Sequence, residues 1–93
     1  MTERVFVVLN KLGLHAKPSA AFVREAQRFK SAITVVKDGL EVNGKSVMGL
    51  MLLAAESGSR LSVRADGPDE VAALDALQAL FARKFDDDAA GAA

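Results

Sequence analysis

The sequence has no cysteine, no tryptophan and no tyrosine, and it contains a single histidine, His15. The absence of cysteine excludes disulfides, thiolate zinc sites and thiol nucleophiles. Twelve acidic side chains balance twelve Lys and Arg side chains, so nothing in the charge favours nucleic acid as the main partner. The longest nearly unbroken apolar run, residues 47–55, is far shorter than the ~20 residues that cross a bilayer. We therefore expect a soluble, cytoplasmic protein without membrane insertion.

The 93 residues, of which 51% are hydrophobic, are enough for one compact domain. Their local patterns predict the element order β-α-β-β-α-β-α, which favours a two-layer α+β fold with the helices on one face of a mostly antiparallel sheet. The order of elements along the chain does not fix the order of strands, and a ferredoxin-like split β-α-β arrangement stays open. We expect the domain to span residues 1–85 and the acidic, alanine-rich residues 86–93 to form a disordered tail.

Individual segments carry more detailed predictions. The β-branched run at residues 5–9 predicts a first strand covered on at least part of both faces. Residues 16–29 predict an amphipathic helix, and the Asp38-Gly39 pair predicts the tight turn of a hairpin between residues 32–36 and 40–42. The third helix is expected to have Pro68 in its first turn and a buried stripe formed by Val71, Leu74, Leu77 and Phe81.

His15 is the chief candidate for covalent chemistry because it lies just before a helical apolar pattern, in the run GLHAKP at residues 13–18. Pro18 lacks an amide hydrogen and is tolerated in a first helical turn, so it marks the helix start. Unpaired amides at that end, with the charge of Lys17 nearby, form a site suited to an anion. A neutral imidazole is nucleophilic at neutral pH and could carry a phosphoryl group there. The alternative is that His15 only caps the helix or lies half exposed without a chemical role.

Two segments, GLHAKP at residues 13–18 and NGKSVMGLM at residues 43–51, resemble the two signature segments of the HPr family in their order and separation. These proteins are the histidine-containing phosphocarriers of the phosphoenolpyruvate-dependent sugar phosphotransferase system. The resemblance covers residues 3–85. It implies an open-faced β-sandwich, in which three helices lie on one face of a four-stranded antiparallel sheet of order 1-4-2-3.

The resemblance also implies the roles of residues near His15. His15 would accept the phosphoryl group through Nδ1, and the backbone amides of Ala16 and Lys17 would face the phosphate. No metal or other cofactor is required, because positioning and charge stabilisation do most of the work in phosphoryl transfer. The family usually has arginine where this chain has Lys17. Lysine is a mobile point charge whereas arginine is a flat bidentate fork, so the exchange puts the site's geometry, transfer rate and range of partners in doubt.

Ser46 opens the second helix, and serine is a favoured N-cap. The resemblance extends to family members that a dedicated ATP-dependent serine kinase, HPr kinase/phosphorylase, controls, which makes Ser46 a candidate regulatory phosphorylation site as well. The helix after it is apolar on nearly every side, so part of it is expected to face a partner. We expect Leu50 and Leu53 in the core and a partner interface formed by Ala20, Arg24, Val47, Met48 and Met51. A plain solvated charge is the alternative for Arg24.

Three functions are compatible with these observations. The leading one is a monomeric phosphocarrier, not an enzyme in its own right, that takes phosphate from enzyme I and passes it to enzyme IIA domains. The second is a mainly regulatory HPr-like protein, controlled through Ser46, with little or no sugar transport. The third is a small binding module without phosphate chemistry, in which the resemblance of both segments would be a coincidence.

Overall fold

The computed structural model of the chain describes residues 1–86, which follow the predicted order of strands and helices. The elements are β1 Thr2–Val7, α1 Ala16–Ala26, β2 Ala32–Lys37, β3 Leu40–Asn43, α2 Val47–Leu52, β4 Arg60–Asp66, α3 Glu70–Ala82 and a final 3-10 helix, Lys84–Asp86. Asp86, assigned to the tail by the sequence, ends this 3-10 helix. The other residues of the expected tail, 87–93, lie outside the described residues.

The four strands form one sheet in the order β1-β4-β2-β3, and every neighbouring pair is antiparallel. β4 lies in the middle, where it pairs Leu61 with Phe6 of β1 and Val63 with Val35 of β2. Between β2 and β3, Asp38 and Gly39 both have positive φ, as a two-residue hairpin turn requires. The strand order that the resemblance implies and the predicted hairpin are both confirmed.

The core lies between one face of the sheet and the helices. Alternate strand residues enter it, because successive side chains of a strand point to opposite faces. At its centre the ring of Phe81 lies 5.0 Å from that of Phe6, 6.0 Å from that of Phe22 and 4.7 Å from that of Phe85. These rings join α3 to β1, to α1 and to the 3-10 helix. The strand residues that supply the inner face are Phe6, Ile33, Val35, Leu61, Val63 and Ala65.

The prediction that both faces of the first strand are covered is wrong. Phe6 is buried, but Val5 is 61% exposed and Val7 is 39% exposed. The helices cover only one face of the sheet, so the apolar side chains on the other face of β1 remain in contact with water. The strand also begins earlier than predicted, at Thr2.

Two helix predictions also need correction. α1 ends at Ala26, so Phe29 lies beyond it and is only partly buried. In α3, Val71 is 53% exposed and does not belong to the inner stripe. The buried residues of α3 are Ala73, Leu74, Leu77, Leu80 and Phe81, which the 3.6-residue period places on one face.

Pro68 precedes α3 rather than lying in its first turn, because Asp69 is the N-cap and is held by contacts outside the helix. The Asp69 carboxylate accepts hydrogen bonds from Ser31 Oγ at 2.5 Å, from the Ser31 amide at 2.9 Å and from the Lys30 amide at 2.8 Å. These donors, Ser31 Oγ above all, lower the pKa of Asp69 from 3.8 to about 2. The start of α3 is thereby tied to the connection between α1 and β2.

Candidate functional site

The loop between β1 and α1 positions His15, and Gly13 makes its tight course possible. Gly13 has φ +69, and a Cβ atom on it would lie 2.2 Å from the carbonyl oxygen of Ala55. Only glycine fits there without displacing backbone. The Leu14 amide donates to that same oxygen at 2.9 Å, and Asn10 Nδ2 donates to the Gly13 carbonyl at 2.5 Å. The loop that leads to His15 is therefore bonded to the segment before β4.

His15 is the N-cap residue of α1, with extended backbone angles of φ −77 and ψ −169. Its carbonyl accepts the first helical bond, from the Ser19 amide at 3.1 Å. Its side chain makes no capping hydrogen bond, although a histidine at this position could supply one. Capping by the imidazole, one of the alternatives for His15, is therefore not what the structure has. The side chain is partly exposed to solvent.

The first turn of α1 presents two backbone amides beside His15. The amides of Ala16 and Lys17 precede the first bond of the helical ladder, which Ser19 makes, and Pro18 has no amide hydrogen. Ala16 and Lys17 are both exposed. Two amide donors, the positive end of the helix dipole and the Lys17 ammonium thus lie at one surface site, an arrangement that favours an anion. The structure brings together the three residues predicted to act on phosphate.

A surface depression of about 600 Å³ also borders His15. The β1–α1 loop forms one wall and the segment after α2 forms the other. The residues lining it are Lys11, Leu12, Leu14, His15, Ala54, Ala55, Glu56 and Ser57. The sequence offered no sign that residues 54–57 border His15, because the contact depends on the fit of Gly13 against Ala55.

Ser46 is the N-cap of α2, as predicted, and its Oγ accepts a hydrogen bond from the Gly49 amide at 3.1 Å. The residue before it, Lys45, is also anchored. Its ammonium donates to the Phe29 carbonyl at 2.8 Å, and its amide donates to Asn43 Oδ1 at 2.9 Å. Ser46 is partly buried, and its hydroxyl oxygen has a structural role before any modification.

The short helix α2 divides between the core and the surface. Leu50 is buried, as is Leu53 just after the helix, which confirms the prediction for both. Met48 is 79% exposed and Met51 is 45% exposed. The structure adds Leu52, 71% exposed, which sequence reasoning did not single out for the interface. At 3.6 residues per turn, Leu52 lies on the side of the helix opposite the buried Leu50, which could have indicated this.

The other predicted interface residues differ in exposure. Val47 packs against the core and is partly buried. Ala20 is half-buried on α1, whereas Arg24, one turn further on, is exposed.

Residues 1–86 contain neither a cluster of metal-ligating side chains nor a membrane-spanning helix. Within that range, no three or more His, Asp and Glu side chains are grouped closely enough to hold a metal ion. No helix of the described chain is both long and apolar enough to span a bilayer.

The family model described as "PTS HPr component phosphorylation site" matches residues 2–83. The chain belongs to the HPr family. The phosphocarrier protein HPr of Treponema pallidum is 48% identical over 88 residues, which are 95% of this chain and 100% of that protein. The HPr-like protein Crh of Bacillus subtilis is 47% identical over 79 residues, which are 85% and 93% of the two chains.

Solved structures agree with this assignment. The crystal structure of HPr from Thermoanaerobacter tengcongensis has a TM-score of 0.88 and 45% sequence identity, covering 91% of this chain and 96% of that one. The α+β arrangement with strand order 1-4-2-3 is thus the HPr fold. As an HPr protein, the chain is a phosphocarrier of the phosphotransferase system.

Proposed function

We propose that His15 is the phosphoryl-accepting residue, which receives the group from phosphorylated enzyme I and passes it to enzyme IIA domains. The observation that carries this proposal is the position of the chain's single imidazole, at the N-terminal end of α1 and outside any capping bond. The chain contains no cysteine that could serve instead. The family assignment supplies the chemistry, and the geometry supports His15 as the nucleophile.

The transfer is a displacement at phosphorus. The lone pair of Nδ1 forms the new phosphorus–nitrogen bond as the bond between phosphorus and the donor protein breaks, and the electron pair of that bond leaves with the donor. The imidazole retains its proton on Nε2, so no proton has to move at that moment. Transfer to the next protein reverses these events at His15 and returns the electron pair to Nδ1.

The first turn of α1 stabilises the transferred group. A phosphoryl group brings negative charge, which the amides of Ala16 and Lys17 and the Lys17 ammonium can compensate. Lysine compensates the charge without the fixed two-point geometry of arginine. The partner enzyme therefore has a larger share in orienting the phosphoryl group in this chain.

The proposal assigns the docking of partners to a surface that begins at α1 and continues across α2. Its residues are Ala20, Arg24, Val47, Met48 and Met51. Methionine side chains adapt to differently shaped partners, which suits a carrier that must bind both a donor and an acceptor. We propose that the protein acts as a monomer in the cytoplasm.

Regulation at Ser46 is the second part of the proposal. Phosphorylation by HPr kinase/phosphorylase would place a dianion next to the exposed Met48 and Met51. Docking a partner there would then require desolvation of that charge, which weakens binding. A phosphate oxygen can take over the hydrogen bond from the Gly49 amide, so α2 need not unfold.

A mainly regulatory protein with little or no sugar transport is the second candidate function. The observation that favours it is the combination of Lys17 in place of arginine with an intact Ser46 segment. The two candidates differ in the amount of phosphate that His15 receives from enzyme I.

One labelling experiment tests both parts. The chain is incubated with phosphoenolpyruvate and enzyme I, or with ATP and HPr kinase/phosphorylase, and its mass is measured under alkaline and then acidic conditions. With enzyme I we expect an acid-labile phosphate, which His15→Ala abolishes and Ser46→Ala retains. With HPr kinase/phosphorylase we expect an acid-stable phosphate, which Ser46→Ala abolishes and His15→Ala retains. Full acid-labile labelling of His15→Ala would refute the role of His15, and absence of that label in the unmodified chain would favour the regulatory alternative.

A further inference from the structure

The depression beside His15 contains a carboxylate that the transfer chemistry described above does not use. Glu56 lines it together with His15, Lys11 and Ser57, and the Glu56 side chain is exposed. Among the described residues that line this depression, Lys11 and Glu56 carry the formal charges. His15 therefore adjoins the first turn of α1, with Lys17, and also a depression whose lining carries both signs of charge.

The backbone around Glu56 is fixed relative to His15. A Cβ atom on Gly13 would lie 2.9 Å from the Cα of Glu56, and the preceding residue, Ala55, accepts a hydrogen bond from the Leu14 amide. On its other side the Glu56 carbonyl accepts from the Ser59 amide at 2.9 Å. The backbone of Glu56 is thus held at the edge of the depression that His15 also lines.

The charge of Glu56 acts differently on the two states of the carrier. Before transfer the ring carries no phosphoryl group for the carboxylate to repel. After transfer the ring carries a phosphoryl group, whose negatively charged oxygens the carboxylate repels. An interaction that exists in only one state shifts the equilibrium between the two states.

We propose that Glu56 raises the free energy of the phosphorylated carrier and so favours onward transfer from His15. The inference rests on the acceptor role of His15 proposed above. Lys17 and the amides of α1 stabilise the phosphoryl group, and Glu56 limits that stabilisation, so the carrier binds phosphate firmly enough to receive it and loosely enough to release it.

The test compares Glu56→Gln with the full chain in reversible transfer from phosphorylated enzyme I. We expect the equilibrium fraction to move toward the phosphorylated carrier, with the transfer equilibrium constant rising roughly threefold to tenfold at low salt. The gain should shrink as salt is added, since exposed charges are screened. Glu56→Asp, which keeps the charge, should stay close to the unmodified chain.

Asp66→Asn is the matched control, because it removes one exposed carboxylate at the other end of the sheet. The chain leaves β1 toward His15 after Val7, which pairs with Arg60 at the start of β4. Asp66 lies at the opposite end of β4, next to Ala65, which pairs with Thr2. Asp66→Asn should leave the equilibrium constant unchanged. An unchanged or lowered constant for Glu56→Gln, or a gain that does not depend on salt, would overturn the role of Glu56 alone. Absence of acid-labile label in the unmodified chain would overturn the proposed function and this inference together.

Discussion

Gly13→Ala is expected to disturb both the stability of the protein and the position of His15. The new methyl group would lie 2.2 Å from the Ala55 carbonyl oxygen, far inside van der Waals contact, and the residue would keep a positive φ only under strain. Residues 13 and 55 must therefore separate. That movement breaks the hydrogen bond from the Leu14 amide to Ala55, which is 2.9 Å long and buried.

The turn glycine Gly39 provides the matched control. It has φ +83, and a Cβ atom on it would have open space around it, with no other described atom within 4 Å beyond its chain neighbours. Gly39→Ala therefore introduces the conformational strain of a positive φ, about 1–2 kcal/mol, without a collision. Gly13→Ala carries the same strain together with a lost buried backbone hydrogen bond, which adds about 1–3 kcal/mol. We expect Gly13→Ala to lower the free energy of unfolding by about 2–5 kcal/mol.

Two measurements check this expectation. Urea unfolding followed by circular dichroism gives the free energies, and rapid-quench labelling gives the rate at which His15 accepts phosphate from enzyme I. We expect Gly39→Ala to keep the normal transfer rate and Gly13→Ala to lose at least about tenfold, since small misplacements of a reacting group are costly. If Gly13→Ala were no less stable than Gly39→Ala, the close approach of the two loops would not be what positions His15.

Two further predictions concern the fold. Leu74→Ala should lower the free energy of unfolding by roughly 2–5 kcal/mol, because Leu74 is fully buried. Val71→Ala, on the exposed side of α3, should change it by less than about 0.5 kcal/mol. Equal urea midpoints for the two variants would contradict the assigned buried face of α3. The pKa of Asp69 is lower in the folded protein than its ordinary value, so its ionised form contributes stability that is present above pH 3.8 and is lost as the pH falls toward about 2. In urea titrations, Asp69→Asn should therefore be less stable than the unmodified chain at neutral pH, and the gap should narrow across that window; a gap that does not depend on pH would contradict the assignment.

The sequence predicted those features that depend on neighbours along the chain. The Asp38-Gly39 turn, the N-cap role of Ser46 and the alternation in β4 all follow from local chemistry. The exposure of Val5 and Val71 did not, because both depend on which face of an element the rest of the protein covers. Strand order was available only through the family resemblance, since pairing in a sheet depends on contacts distant in sequence.

The candidate site shows the same division. The run that contains His15, Ala16 and Lys17 is contiguous, so its placement in one helical turn could be predicted from Pro18 alone. The opposite wall of the depression comes from residues some forty positions later. That wall can approach His15 because Gly13 has no side chain to keep Ala55 away. The sequence shows the glycine, but it does not show that Ala55 is its neighbour in space.

The two residues proposed to carry phosphate, His15 and Ser46, are both helix N-caps, but their side chains are used differently. Ser46 Oγ accepts the Gly49 amide, whereas the His15 imidazole makes no capping bond in α1. A phosphoryl group on His15 can therefore come and go without changing a hydrogen bond that defines α1. A phosphoryl group on Ser46 would be attached to the very oxygen that caps the helix carrying Met48 and Met51. The proposed phosphate on Ser46, unlike the one on His15, would therefore act directly at a cap of its helix.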